Sequence, residues 1–213
     1  MTTGPAPEQP AQPDQPDQPE LSDRLDELDV DPALASAVLE IESHVAAHGW
    51  DQPARLYALV ETASLVAHEP ALARAMGLDD AAAEGSLTPI EQDQLSPDRP
   101  LEQVLESISW PEGVAGCAAV VERLVLPPGA DDELPEDASA AEAFAREHPD
   151  RQEVRIVAGA TRAGATYCAL RLRAHDDDQS VVGGGDLVPA LLQMLAATLE
   201  DDSSDGGPTG GEA

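Results

Sequence analysis

Lysine is missing from this chain. All 11 of its basic side chains are Arg, set against 42 Asp and Glu, for a formal net charge of -31 over 213 residues. A phosphate backbone binds by releasing counterions to Lys and Arg, so this balance argues against a nucleic-acid partner. It argues equally against an anionic membrane surface. Aromatic residues are nearly absent: one Phe, two Trp and two Tyr. Two cysteines make neither a disulfide framework nor a four-thiolate metal site. No apolar run approaches the roughly 20 residues of a spanning helix. The opening MTTGPAPEQP has neither the basic region nor the apolar core of a secretory signal. The expectation is a soluble cytoplasmic protein.

Residues 1–28 read as a disordered acidic tail, with Pro at every third position through QPAQPDQPDQPE. Such a segment buries too little apolar surface to offset its ordering entropy and stays extended. A Pro-x-x-Pro ligand is the alternative reading, though the basic flanks such grooves favour are missing. Residues 201–213, DDSSDGGPTGGEA, read as a second disordered tail. Between them, 29–200 is expected to form a single α+β domain. Arg-only cation usage and abundant Ala point to a GC-rich coding bias, and acidity on this scale also suits salt adaptation.

Asp31-Pro32 starts a helix, with Asp as cap and Pro in the first turn. Leu34, Val38, Ile41 and Val45 follow at helical spacing, and Gly49 ends the run. Residues 55–61 predict a buried strand, and 63–76 a helix that Pro70 kinks or splits. The stretch 79–100 reads as loop, and 101–108 as a short helix. Residues 114–126 predict a long strand, apolar on both faces as far as Glu122 and Arg123, which requires cover on both sides. Ser139 and Glu142 have capping-box spacing for a further small helix. Gly183-Gly184-Gly185 reads as a flexible turn, with Asp186 capping a final helix over 187–199 whose stripe is Leu187, Leu191, Leu195 and Leu199. This order predicts a mainly antiparallel sheet of about four strands with helices packed on it.

The hairpin 153–174 is the most strongly specified piece. A three-residue loop, Arg162-Ala163-Gly164, puts Gly164 where a left-handed backbone is wanted. It pairs Val154 with Leu172, Ile156 with Leu170 and Ala158 with Cys168, giving one continuous apolar face. A two-residue loop would set Ile156 opposite Arg171 and mix the faces.

The strings HGWDQPARLYALV, LTPIEQDQL, ISWPEGVAGCAAVVERLVLPP and CALRLRAHDDD resemble an uncharacterised family of actinobacterial cytoplasmic proteins, over most of residues 31–200. The resemblance implies a bacterial source and brings no activity, cofactor or site residue with it. The order of elements is also similar to that of small secretion-chaperone-like folds, which hold partner polypeptides on a sheet and helix surface.

The candidate chemistry is sparse. His44 and His48 lie one helical turn apart, with Glu40 and Asp51 extending the line, and could ligate zinc. The residue after His44 is Val45, not the Glu of a metalloprotease helix, and a solvated polar face is the competing reading. The glycine run has no following Lys to hold phosphate. Cys117 and Cys168 fall in apolar strands as inert thiols, and no nucleophile elbow occurs. Trp50 and Trp110, at loop junctions, read as plugs for the ends of the core, with an exposed contact surface as the alternative.

One feature is unusual. The hairpin register leaves Arg155, Arg171 and Arg173 on its polar face, with Arg155 directly opposite Arg171, a like-charge pair that destabilises a sheet unless neutralised. Adding Arg123 from the long strand gives a candidate ligand-binding set of Arg123, Arg155, Arg171 and Arg173. Either carboxylates of the chain neutralise it, or planar Arg forks hold an anionic ligand. Two functional classes follow. One is a non-enzymatic interaction or regulatory protein with a protein partner or a homodimer, needing no cofactor. The other is a ligand-binding domain or small enzyme using the Arg face for an anionic small molecule.

Overall fold

The computed structural model describes residues 30–78, 84–93, 95, 99–127 and 129–200, so both expected tails lie outside the described residues. Helix α1 spans Pro32–Ala46, followed by strand β1, Arg55–Glu61. Helices α2, Thr62–His68, and α3, Pro70–Ala75, are one apolar run divided at Pro70. Then come β2, Leu87–Glu91, α4, Leu101–Leu105, β3, Gly116–Val125, and α5, Ala138–Glu147. The hairpin is β4, Gln152–Thr161, and β5, Thr166–Leu172. Strand β6, Val182–Gly184, and helix α6, Pro189–Leu199, complete the order.

The fold is α+β, with one sheet of six antiparallel strands in the order β2-β1-β3-β4-β5-β6. The expectation of about four strands fell short by the two edges. Strand β2 lies inside the stretch read as loop because Pro89 stands at its centre. The Gln92 amide donates to the Leu56 carbonyl, so by alternation the even-numbered amides of β2 face β1 and the Pro89 nitrogen faces outward, where no donor is needed. Strand β6 lies in the glycine run. A Cβ on Gly183 would sit 2.2 Å from the Tyr167 hydroxyl, so the missing side chain lets the Tyr167 ring cross this edge.

Helix α1 covers one face of the sheet. Asp31 caps it, its Oδ1 accepting from the Ala33 and Leu34 amides at 2.9 and 3.1 Å. Its buried residues Leu34, Val38, Ile41 and Val45 pack against Tyr57, Leu59, Ala118, Val120, Val157 and Ala169. On the opposite face α4 and α6 pack against Leu56, Cys117, Ala119, Val121, Ile156, Ala158 and Cys168. Strand β3 is therefore apolar on both faces because it lies between two helical layers.

Two helix starts differ from expectation. Asp137, not Ser139, caps α5, accepting from the Ala140 amide at 2.9 Å. Helix α6 begins at Pro189 and takes no side-chain cap from Asp186. It buries Leu192, Leu195, Thr198 and Leu199, which turns the expected stripe slightly and leaves Leu191 at its margin.

The hairpin has the expected register: Val154 faces Leu172, Ile156 faces Leu170, Ala158 faces Cys168, and Arg155 lies opposite Arg171. Gly164 takes φ +88°, the left-handed conformation that costs an L side chain strain.

Candidate functional site

Parity along the strands divides the four arginines singled out from the sequence. Arg155 and Arg171 lie on the α1 side of the sheet, near the C-terminal end of the helix, and Arg173 follows just after β5. Arg123 pairs in register with Val154 and so belongs to the other face, where it meets Glu102 of α4 at 2.8 Å. The expected set of four is thus a set of three, and the one-residue offset between Glu122 and Arg123 is the cause.

Each of the three is neutralised by a different element. Arg171, 2% exposed, makes a two-pronged pair with Glu42 of α1, from Nε to Oε1 at 2.6 Å and from Nη2 to Oε2 at 2.8 Å. Its outer edge is held by Asp178 at 2.7 Å and Asp176 at 3.4 Å. The Glu42 bond holds the guanidinium well above the ordinary Arg pKa, so it stays charged. Arg155 is fully buried. It meets Glu122, its register partner on β3, at 2.8 Å, and also donates to the Gly49 carbonyl. Only its Nη1 lacks a partner. Arg173 meets both Asp51 oxygens at 2.8 and 2.9 Å and Glu153 at 2.5 Å.

The loop after α1 closes this network. Asp51 takes φ +64°, a left-handed conformation that Asp tolerates better than most residues. The turn aims its carboxylate at Arg173, whose hydrogen bond lowers the Asp51 pKa, while its amide donates to Glu122 at 2.8 Å. Trp50 lies half-buried over the assembly. Its ring is 4.3 Å from the Arg155 guanidinium carbon and 5.6 Å from that of Arg173, and its indole N–H donates to Asp176 at 2.9 Å. Trp50 is a lid on stacked cations, whereas Trp110 plugs the core as expected, bonding Thr198 at 3.0 Å.

A crevice of about 430 Å³ opens at the rim of the network, where Asp51, Glu122 and Glu153 alternate with Arg123, Arg146 and Arg151. Three acids against three bases give an anion no net attraction. Glu42 is the residue that sequence reasoning missed. It stands four positions after Val38 and eight after Leu34, on the apolar face of α1, and a lone carboxylate there signals a buried cation partner.

The remaining candidates are simply placed. His48 Nδ1 lies 2.8 Å from the His44 carbonyl, the two rings tilt together at 4.9 Å, and no group of three or more metal-ligating side chains occurs among the described residues. Cys117 and Cys168 are buried and unpaired, and burial pushes the Cys117 thiol up to about 11. Arg162, in the hairpin loop, donates to the carbonyls of Val114 at 2.9 Å and Trp110 at 2.8 Å and to that of Leu199, tying the end of α6 to the sheet. No helix among the described residues is long and apolar enough to cross a membrane.

No curated protein and no solved structure matches the chain. A family model described as PPA1309-like protein matches residues 34–200, the stretch that holds both helical layers, all six strands and the Arg network, so the chain belongs to the uncharacterised PPA1309-like family.

Proposed function

We propose that this protein is a non-enzymatic interaction or regulatory protein that holds an apolar-anchored segment of a different polypeptide. The observation that supports the reading is an apolar groove of about 340 Å³ on the α6 face, lined by Val121, Ile156, Val188, Leu191 and Met194 and rimmed by Glu102 and Arg123. Its floor is the buried Val121 and Ile156, and its wall is Val188, Leu191 and Met194 of the α6 end, which are only partly buried, the arrangement expected of a surface awaiting a partner. The rim pair is about half exposed, so Arg123 serves orientation and on-rate more than affinity.

The occupant is another protein, not a second copy. Two chains of net charge -31 repel one another at every approach, whereas a basic partner is steered in. The Arg network argues for the same side, because its donors are spent on Glu42, Glu122, Asp51 and Glu153 and few are left for an anionic ligand. A cytoplasmic setting and an actinobacterial source belong to this reading.

The test is affinity capture from the native cytosol, followed by reconstitution with each recovered protein in purified form. A specific partner should be lost with Leu191→Asp and with Met194→Asp, and kept with Arg173→Ala. Melting curves of the three variants identify any loss that comes from unfolding. Retention of the same partners by both groove variants, or their loss with Arg173→Ala alone, refutes the groove.

A further inference from the structure

A cavity of about 360 Å³ lies at the end of the sheet where α1 begins, and its apolar lining is Ala33, Ala63, Leu87, Ala115 and Ala163. Most of its polar lining is already spoken for. Asp31 accepts from the Ala33 and Leu34 amides, Ser86 donates to Thr62 at 2.8 Å, and Thr161 accepts from the Ala165 amide at 3.1 Å. What remains open is a surface of small apolar side chains, which leaves room for larger ones.

The chain itself enters at this point. Val30 is the first described residue, and the next two positions are Asp31, which lines the cavity, and Pro32, which starts α1. Val30 is half-buried and packs against the core on the α1 side. An apolar residue held just before a helix cap fixes the direction in which the chain arrives. Leu28 stands two positions earlier, so it lies within about 7 Å of Val30. It is not alone. The Pro repeat ends at Pro19, and Leu21, Leu25 and Leu28 follow at positions i, i+4 and i+7, one face of a helix. Asp23, Asp26 and Glu27 fall on the other side of that helix. Arg24, the only cation before Arg55, flanks the leucine stripe. Glu61, exposed at the rim of the cavity, is of the opposite charge.

We infer that residues 21–28 dock on this cavity as about two turns of helix, with Leu25 and Leu28 entering it and Arg24 turned toward Glu61. A helix this short is not stable alone in water, so packing on the cavity is what holds it. At about 1.5 Å per residue it spans about 12 Å, short enough to stay over the site. The folded part of the chain then starts at 21, not 29, and the Pro-rich stretch is tethered on the face of the sheet opposite the α6 groove.

The experiment is limited trypsin digestion of the full-length protein, since Arg24 is the first site the enzyme can cut. A synthetic peptide of residues 18–31 gives the rate for the undocked segment. The protein should be cut after Arg24 more slowly than the peptide by about tenfold or more, the factor that burial of one leucine sets through the population of the open form. Leu28→Asp should return cleavage to the peptide rate. Ala63→Glu, which puts a carboxylate into the cavity, should speed it several-fold. Cleavage after Arg55, inside β1, should stay as slow in both variants as in wild type, which shows that the domain remains folded. Equal rates for wild-type protein and peptide would overturn the inference. So would protection that survives Leu28→Asp, which would place the segment elsewhere. Protection that falls on dilution would overturn it too, by giving the cavity to the segment of a second copy.

Discussion

Removing the guanidinium of Arg171 should be among the most damaging single changes in this protein. Its partner Glu42 belongs to α1, 129 residues away in sequence, and both side chains are 3% exposed. Arg171→Met would leave the Glu42 carboxylate buried without the guanidinium that pairs it, with Asp176 and Asp178 nearby. Breaking a buried pair in this way costs about 3–5 kcal/mol, a large share of the roughly 5–15 kcal/mol that holds a domain folded. Arg173 is the internal control. Its side chain is 39% exposed and its partner Asp51 74%, so Arg173→Met should cost less than about 1 kcal/mol. Had the Arg171 pair been solvated, it would have belonged in that smaller range too, so burial decides the difference. Replacing both partners, as in Glu42→Leu with Arg171→Met, should recover most of the loss, because an apolar pair of similar volume avoids the desolvation penalty. Urea denaturation with a common m-value reads all three variants against wild type. Repeating it in high salt should erase the Arg173 effect and leave the Arg171 effect nearly intact. An Arg171→Met protein within about 1 kcal/mol of wild type, or one stabilised by the change, would refute the reasoning and return the Arg face to the pool of ligand sites.

Gly164→Val should destabilise clearly more than Ala163→Val. No atom lies within 4 Å of a Cβ added at Gly164, so the cost is that of a left-handed backbone, about 1–2 kcal/mol, read by thermal melting. Arg162→Ala should lower stability by about 1.5–3 kcal/mol in the same assay, since it strips donors from the carbonyls of Val114, Trp110 and Leu199 at one end of the sheet. Both thiols should resist a thiol reagent in the native protein at pH 8 and react once urea unfolds it. Cys117 also sets an alkaline trend: its pKa is raised to about 11 in the fold against about 8.5 in an unfolded chain. Its contribution to stability is therefore whole below the lower value and lost as pH rises through the higher one. A Cys117→Ala variant whose stability falls with pH as steeply as wild type between those limits would contradict this.

Some of this protein was written in local sequence. The Asp31-Pro32 start of α1, the break at Pro70 and the three-residue hairpin loop each depend on neighbours a few positions apart, and the loop in turn sets the pairing of Val154 with Leu172. Side-chain alternation on two adjacent strands leaves only one register with a clean apolar face, and the chain shows that directly. The two edge strands were not legible in this way. Pro89 and the glycines of 183–184 oppose strand formation on their own, and they are tolerated because β1 and β5 offer an unpaired edge that asks for a backbone and little else. The Arg face was half legible: its crowding followed from the hairpin, but Arg123 was assigned to it through a one-residue error in face that only the pairing of β3 with β4 corrects. The partners were decided by tertiary structure. Any of 42 acids could have met Arg171, and Glu42 does so because α1 lies across the sheet and ends beside it. Local propensity acts over a few residues, whereas an ion pair across 129 of them exists only once two layers have packed.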